Sequence, residues 1–160
     1  MRPSWDEYFM GITEIVAKRA TCPRKRLGSI IVKNKRIIAT GYNGSPPGQP
    51  HCDDVGCLIV PTVKIIKGKQ VVRDHCLRTL HAEQNALLQC AIHGVSTKDA
   101  TMFTLTNPCY LCAKMIITAG IKRVVYKDEY NHDDALDQKA SDLLKEGGVE
   151  LIKLMPQESK

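Results

Sequence analysis

"TMFTLTNPCYLCAKMIITAGIKRVVY", residues 101 to 126, carries three periodicities in succession. "TMFTLT" alternates as a strand does, "AKMIITA" is spaced as a helix that stops at Gly120, and "RVVY" is a second short β-branched run. Strand, helix, strand implies a right-handed crossover between parallel neighbours. The alternation continues on both sides. Ala86, Leu87 and Ala91 predict a helix from residue 82 to Gly94, residues 134 to 146 a further helix closed by Gly147 and Gly148, and "VELIKL" a last strand.

Upstream, Ser4 and Glu7 have capping-box spacing, and Phe9, Ile12 and Val16 continue at helical intervals, so residues 5 to 20 are expected to be helical. "SIIVK" and "RIIATGY" flank a turn at Lys33-Asn34-Lys35 and predict an antiparallel hairpin. Residues 43 to 61 are dense in Gly, Pro, Cys and Asp and read as a long loop. "VKIIKGKQVV" follows as a small hairpin turning at Lys67-Gly68. The expected fold is α/β, a three-layer αβα sandwich around one mixed five-stranded sheet. Residues 1–160 form a single domain in this reading, with a Cys-rich loop and small insertion at about 43–76, no internal repeat and a disordered tail, "PQESK".

At 160 residues, 43% hydrophobic, the chain suits one core. Lys plus Arg number 23 against 17 Asp plus Glu, a net charge of +6, but "CPRKRLG" at 22 to 28 is the only tight basic run. Aromatics are 5% and no basic stripe accompanies them, so a nucleic-acid partner is not expected. No stretch approaches the roughly 18 apolar residues that span a membrane. "MRPSWDEYF" lacks the apolar core of a signal peptide, and a cytoplasmic location follows. Seven cysteines, an odd number without an export signal, point to reduced thiols and metal.

Two polar groups stand where loops enter helices: His81 and Glu83 in "TLHAEQN", and Cys109 and Cys112 in "NPCYLCAK". On a first helical turn Cys109 and Cys112 share one side, and the positive end of the helix dipole favours thiolate there. One imidazole and two thiolates give zinc three ligands and leave a fourth position for water. Glu83 is left over and can face that water without ligating. Zinc lowers the pKa of its water to about 7, and a carboxylate beside it can carry protons to a departing ammonia, which is hydrolytic deamination. A lone Cys-x-x-C or a lone Glu says little. H-x-E followed by P-C-x-x-C is the signature of zinc nucleobase deaminases, and both halves occur here in order.

On these residues the chain resembles the cytidine deaminase superfamily, and within it the deoxycytidylate deaminases. The similar stretches include "HAEQNAL", "NPCYLCAK", "GSIIVKNKRIIATGYNGSPPG", "GIKRVVY" and "HCDDVGC". The resemblance implies catalytic zinc at His81, Cys109 and Cys112, and Glu83 as proton shuttle. It implies conversion of dCMP to dUMP for thymidylate synthesis, regulation by dCTP and dTTP with magnesium, and a homo-oligomer, commonly a hexamer. In the constrained turn "GYNGSP" it implies that Asn43 contacts deoxyribose or base and that Ser45 lies near the phosphate, with Ala82 a further contact and Tyr130 closing over the nucleotide. Arg24 and Arg26 are weaker candidates for phosphate or effector. Cys22, Cys52, Cys57 and Cys76 remain for a second, structural zinc, with His75 the alternative fourth ligand, and Cys90 is expected only to pack.

Overall fold

Ser4 and Glu7 close the capping box expected of them: the Glu7 amide donates to Ser4 Oγ and the Ser4 amide to the Glu7 carboxylate. The helix they begin is α1, Trp5–Ala17, in a computed structural model that describes residues 2–130 and 135–155. It ends three residues short of the expected limit, because the amides of Lys18, Arg19 and Ala20 bond three residues back and tighten the last turn. Then follow β1 (Gly28–Lys33), β2 (Arg36–Tyr42), α2 (Cys52–Val55), β3 (Ile59–Ile66), β4 (Lys69–Cys76), α3 (Ala82–Ile92), β5 (Thr101–Thr106), α4 (Tyr110–Thr118), β6 (Arg123–Asp128), α5 (Ala135–Gln138), α6 (Ala140–Glu146) and β7 (Glu150–Lys153).

Three differences from the sequence reading stand out. The loop at 43 to 61 contains α2, and the hairpin of the insertion is longer than expected, β3 pairing with β4 from Ile59–Cys76 to Ile66–Lys69. The helix expected at 134 to 146 is two short helices parted at Lys139. Residue 134 and the tail 156 to 160 lie outside the described residues.

The sheet order is β2-β1-β5-β6-β7. β1 is antiparallel to both β2 and β5, whereas β5, β6 and β7 are mutually parallel, so the sheet is mixed as expected. Alternation along the central strands divides the core between two faces. Ile31, Met102 and Val124 face α3, α4 and α6 with Ala86, Cys112, Ile116 and Leu144, and Cys90 is buried among them. Ile30, Phe103 and Val125 face α1 through Phe9 and Met10. Asp6 accepts two hydrogen bonds from the Arg123 guanidinium, at 2.9 and 2.6 Å, which fixes α1 against β6.

Close approach of helix to sheet is set by two glycines in the β1–β2 pair. A Cβ on Gly28 would lie 2.6 Å from the Thr13 carbonyl oxygen in α1, and one on Gly41 would overlap the Ala82 carbonyl and the Ala86 amide in α3. Gly41→Ala is therefore expected to cost about 1–3 kcal/mol as overpacking, read as a fall in Tm of roughly 2–4 °C per kcal/mol. Gly11→Ala is the control: nothing lies within 4 Å of its Cβ position in α1, and the better helix former should raise stability by up to about 1 kcal/mol. An unchanged Tm for Gly41→Ala would show that α3 can shift away from β2.

Candidate active site

Strand direction decides what meets at the active edge. Because β1 runs opposite to β2 and β5, the carboxyl ends of β2, β5 and β6 share one edge with the start of β1. Ligand sites of open α/β sheets lie beyond that edge. Asn43 leaves β2 there, Asn107 to Cys109 leave β5, Tyr130 follows β6, and Arg24 to Leu27 lead into β1. All three segments and the loop into β1 contribute to one cavity of about 450 Å³, with His81 and Glu83.

His81 is the N-cap of α3 and Cys109 the N-cap of α4, so the positive ends of two helix dipoles converge here. His81 Nδ1 lies 3.5 Å from Cys109 Sγ and 3.5 Å from Cys112 Sγ. A tetrahedral zinc bonded at about 2.0–2.1 Å to nitrogen and about 2.3 Å to sulfur separates those atoms by about 3.5 Å. The donor set therefore fits zinc in both chemistry and spacing. The partnership with the Cys112 thiol, helped by His81, lowers the Cys109 pKa to about 4. Cys112 is pushed the other way, first by its hydrogen bond with Cys109 and then by burial. His81 is raised by its hydrogen bond with Cys109.

Glu83 is the second residue of α3, in its first turn, and only 5% exposed. Its side chain is not part of the His81, Cys109, Cys112 group. The Thr104 hydroxyl donates to its Oε1 at 3.3 Å. Burial raises the Glu83 pKa, and the charge of His81 partly offsets this. Thr104 is itself buried near the end of β5 on the Met102 face. The sequence reading missed it, although a threonine at an inward position of an otherwise apolar strand is the available signal.

Asn43 is buried and doubly committed: its Oδ1 accepts from the Ala82 amide at 2.8 Å, and its Nδ2 donates to the Lys25 carbonyl at 3.2 Å. The Ala82 amide is thereby used inside the protein. Tyr130 lines the cavity, its amide donating to Asn107 Oδ1 at 2.6 Å, and the Lys25 ammonium stands 3.2 Å from its ring centroid. Arg24 lines the cavity and donates to the Asp74 carbonyl. Arg26 does not; it pairs with Asp53 at 3.3 Å. Ser45 donates to the Pro50 carbonyl and lines a separate cavity with Asn85, Gln89 and His93, away from the triad.

Of the thiols expected in a second cluster, the structure brings together Cys52, Cys57 and Cys76, with Cys52 Sγ 3.7 Å from Cys76 Sγ. Neither Cys22 nor His75 belongs to that group; both line the active-site cavity. Burial acts upward on Cys76, yet the Arg78 amide and the Cys52 thiol bring its pKa to about 7.

The zinc-binding region of cytidine and deoxycytidylate deaminases, as a family profile, matches residues 3–128. The chain belongs to this family. It is 44% identical over 148 residues to ComE operon protein 2 of Bacillus subtilis, covering 92% of this chain and 70% of that one. It is 40% identical over 158 residues to the deoxycytidylate deaminase of Schizosaccharomyces pombe, where it covers 99% of its own length and 46% of the relative's, so it spans under half of that protein. The crystal structure of dCMP deaminase from cyanophage S-TIM5 in complex with dCMP and dUMP matches with a TM-score of 0.73 at 33% identity, covering 96% of this chain and 99% of that one. These structures share the cytidine deaminase-like fold.

Asn43→Ala would leave the buried Ala82 amide without a partner, at a cost of about 1–3 kcal/mol. Reduced kcat/KM should therefore come with a lowered Tm, measured by thermal unfolding beside kinetics. A drop in kcat/KM at unchanged Tm would mean that Asn43 acts on the substrate alone.

Proposed function

We propose that the protein is a zinc-dependent deaminase converting dCMP and water to dUMP and ammonia, and so supplying dUMP for thymidylate synthesis. One observation carries this reading. A buried carboxylate, Glu83, stands in the same cavity as a three-ligand zinc site without belonging to it. The names of the relatives and the nucleotides bound to the cyanophage enzyme support it.

Zinc, when bound, contributes the lowering of a coordinated water's pKa to about 7. The chain's own residues do the rest. His81, Cys109 and Cys112 are the ligands, presented by two helix N-termini that favour thiolate. Glu83, hydrogen-bonded by Thr104, takes one proton from water and delivers it to the cytosine ring nitrogen, then takes the second proton from the oxygen now bonded to C4 and delivers it to the amino group, which leaves C4 as ammonia. Its raised pKa suits a group that must hold the proton between those steps. Asn43 holds the first turn of α3 in place beside the sugar, and Tyr130 closes the cavity mouth.

The cluster of Cys52, Cys57 and Cys76 we read as a second, structural zinc site. Two thiolates on a tetrahedral zinc lie about 3.8 Å apart, close to the 3.7 Å between Cys52 and Cys76. Cys22 or His75 would supply the fourth ligand after a local rearrangement. A single domain and a cytoplasmic location join the proposal from length and composition, and a homo-oligomer, commonly a hexamer in this family, with control by dCTP and dTTP with magnesium, joins it on the resemblance alone. No helix among the described residues is long and apolar enough to cross a membrane.

Zinc-loaded protein offered dCMP, CMP, dCTP, deoxycytidine and tRNA in separate reactions should release ammonia fastest from dCMP. A faster rate on any of the others would replace the substrate assignment. Glu83→Gln should lower kcat about 10²–10⁴-fold, the usual contribution of acid–base catalysis, with zinc retained. Metal analysis should find about two zinc per chain, and Cys57→Ser should lose one of them together with thermal stability. One zinc per chain in the parent protein would remove the structural site.

A further inference from the structure

The β3–β4 hairpin turns two polar side chains of β3, Thr62 and Lys64, inward beside Val60 and Ile66. Exposure alternates strictly along β3, and the half-buried positions include Thr62 and Lys64, while Val63 is 65% and Ile65 45% exposed. On β4, Val72 is likewise exposed at 63%. Buried apolar and exposed charged side chains are the usual arrangement, and the inward Lys64 departs from it while reaching Asp137. The inward face forms one wall of the active-site cavity, with Thr62, Lys64 and Ile66 from β3 and Arg73 and His75 from β4. Thr62 and Arg73 are cross-strand partners and stand side by side on that face.

The wall is tied to the active site at both ends. Arg24 holds the Asp74 carbonyl at 3.2 Å, and Lys64 Nζ lies 4.0 Å from Asp137, which accepts a hydrogen bond from the Tyr110 amide beside Cys109. Among the described residues, four cations, Arg24, Lys25, Lys64 and Arg73, line the cavity with three carboxylates, Asp74, Asp137 and the deeply buried Glu83. Among the described residues the cavity lining therefore carries an excess of positive charge.

We propose that the inward face of the β3–β4 hairpin is the 5′-phosphate wall of the site, with Lys64 and Arg73 as specificity-determining residues that select a nucleoside monophosphate over the nucleoside. This rests on the dCMP deaminase reading above. A phosphate monoester carries a charge of about −1.5 to −2 at neutral pH. Arg73 can meet two of its oxygens with one planar fork, and Lys64, diagonal to it on the same face, supplies a compact charge.

The test uses the zinc-loaded full chain and the variants Lys64→Gln, Arg73→Gln, Arg73→Lys and the Lys64→Gln/Arg73→Gln double. Steady-state kinetics are read on dCMP and on deoxycytidine, and equilibrium dialysis on dUMP and deoxyuridine. Each Gln variant should raise KM for dCMP about 10-fold or more, as expected for a lost charge-assisted hydrogen bond. The kcat for dCMP and the kcat/KM for deoxycytidine should stay within about twofold at unchanged zinc content, with partial recovery in Arg73→Lys. The double variant should lose the preference of the parent for dUMP over deoxyuridine. A double variant that keeps the dCMP KM, or one in which both substrates lose equally, would overturn the assignment, the second result reducing the hairpin to a structural wall. If the double variant does not fold, Arg73→Gln alone decides by the same criteria. Absence of dCMP turnover in the parent sinks the deaminase reading, whereas the dialysis preference and its fate in the variants judge the hairpin separately.

Discussion

The docking of the first turn of α3 onto the end of β2 is the constraint from which the rest of the site follows. Gly41 lets the helix backbone reach van der Waals contact with the strand, where any side chain would strike the Ala82 carbonyl. Asn43 and Asn85 then lock the contact: Asn43 accepts from the Ala82 amide, and Asn85 Nδ2 donates to the Tyr42 carbonyl at 2.8 Å. With α3 so placed, its N-cap His81 and its buried Glu83 have no freedom to drift. The segment ahead of β1 is held by the same residue, since Asn43 also takes the Lys25 carbonyl. One side chain therefore couples the helix carrying the acid to the loop forming the cavity rim.

The parallel β5–α4–β6 unit brings the other half of the site to the same edge. A right-handed crossover leaves the N-terminus of α4 beside that of α3, and the two helix ends present partial positive charge to a space that must hold two thiolates. Cys109 and Cys112 show what their mutual hydrogen bond does: the proton is held on the buried Cys112 while Cys109, helped by His81, is pulled well below the usual thiol range. Glu83 experiences the opposite pressure. It is enclosed by the core, and desolvation favours its protonated form. In the proposed function the thiols and the reluctant carboxylate take different tasks at one pH, the former as metal ligands and the latter as acid.

The segment between β2 and α3 combines an irregular loop, a cluster of three thiols and a hairpin that joins no strand of the main sheet. An isolated two-stranded hairpin is marginal in water. Here it is held at its base by residues around Cys57 and Cys76 and at its flanks by Arg24 and Lys64. Its inner face carries Thr62 and Lys64 toward the cavity beside Ile66, and its outer face leaves Val63, Ile65 and Val72 exposed.

The α/β class, the mixed sheet, both two-residue hairpin turns and the His81, Glu83, Cys109, Cys112 constellation were legible in the sequence, because each depends on local periodicity or on spacing within a single turn. Asn34 and Lys35, and again Lys67 and Gly68, take the positive φ angles that such turns need. Helix limits were less legible: α1 stops at Ala17 through backbone bonds in its last turn, and the helix before β7 breaks at Lys139. Other relations between distant segments were not legible. Ser45 faces another cavity, Arg26 is spent on Asp53, and Cys22 stands apart from the other three thiols, since each depends on where the loops before β1 and after β2 turn in space. The sequence by itself determined which chemical groups exist and which strands and helices carry them. Only the tertiary structure decided that Thr104 lies under Glu83, that Asn43 is committed to the backbone of α3, and that Lys64 and Arg73 face the cavity. Those depend on strand direction and on helix-to-sheet distance, which arise when the whole sheet closes and which no local run of residues encodes.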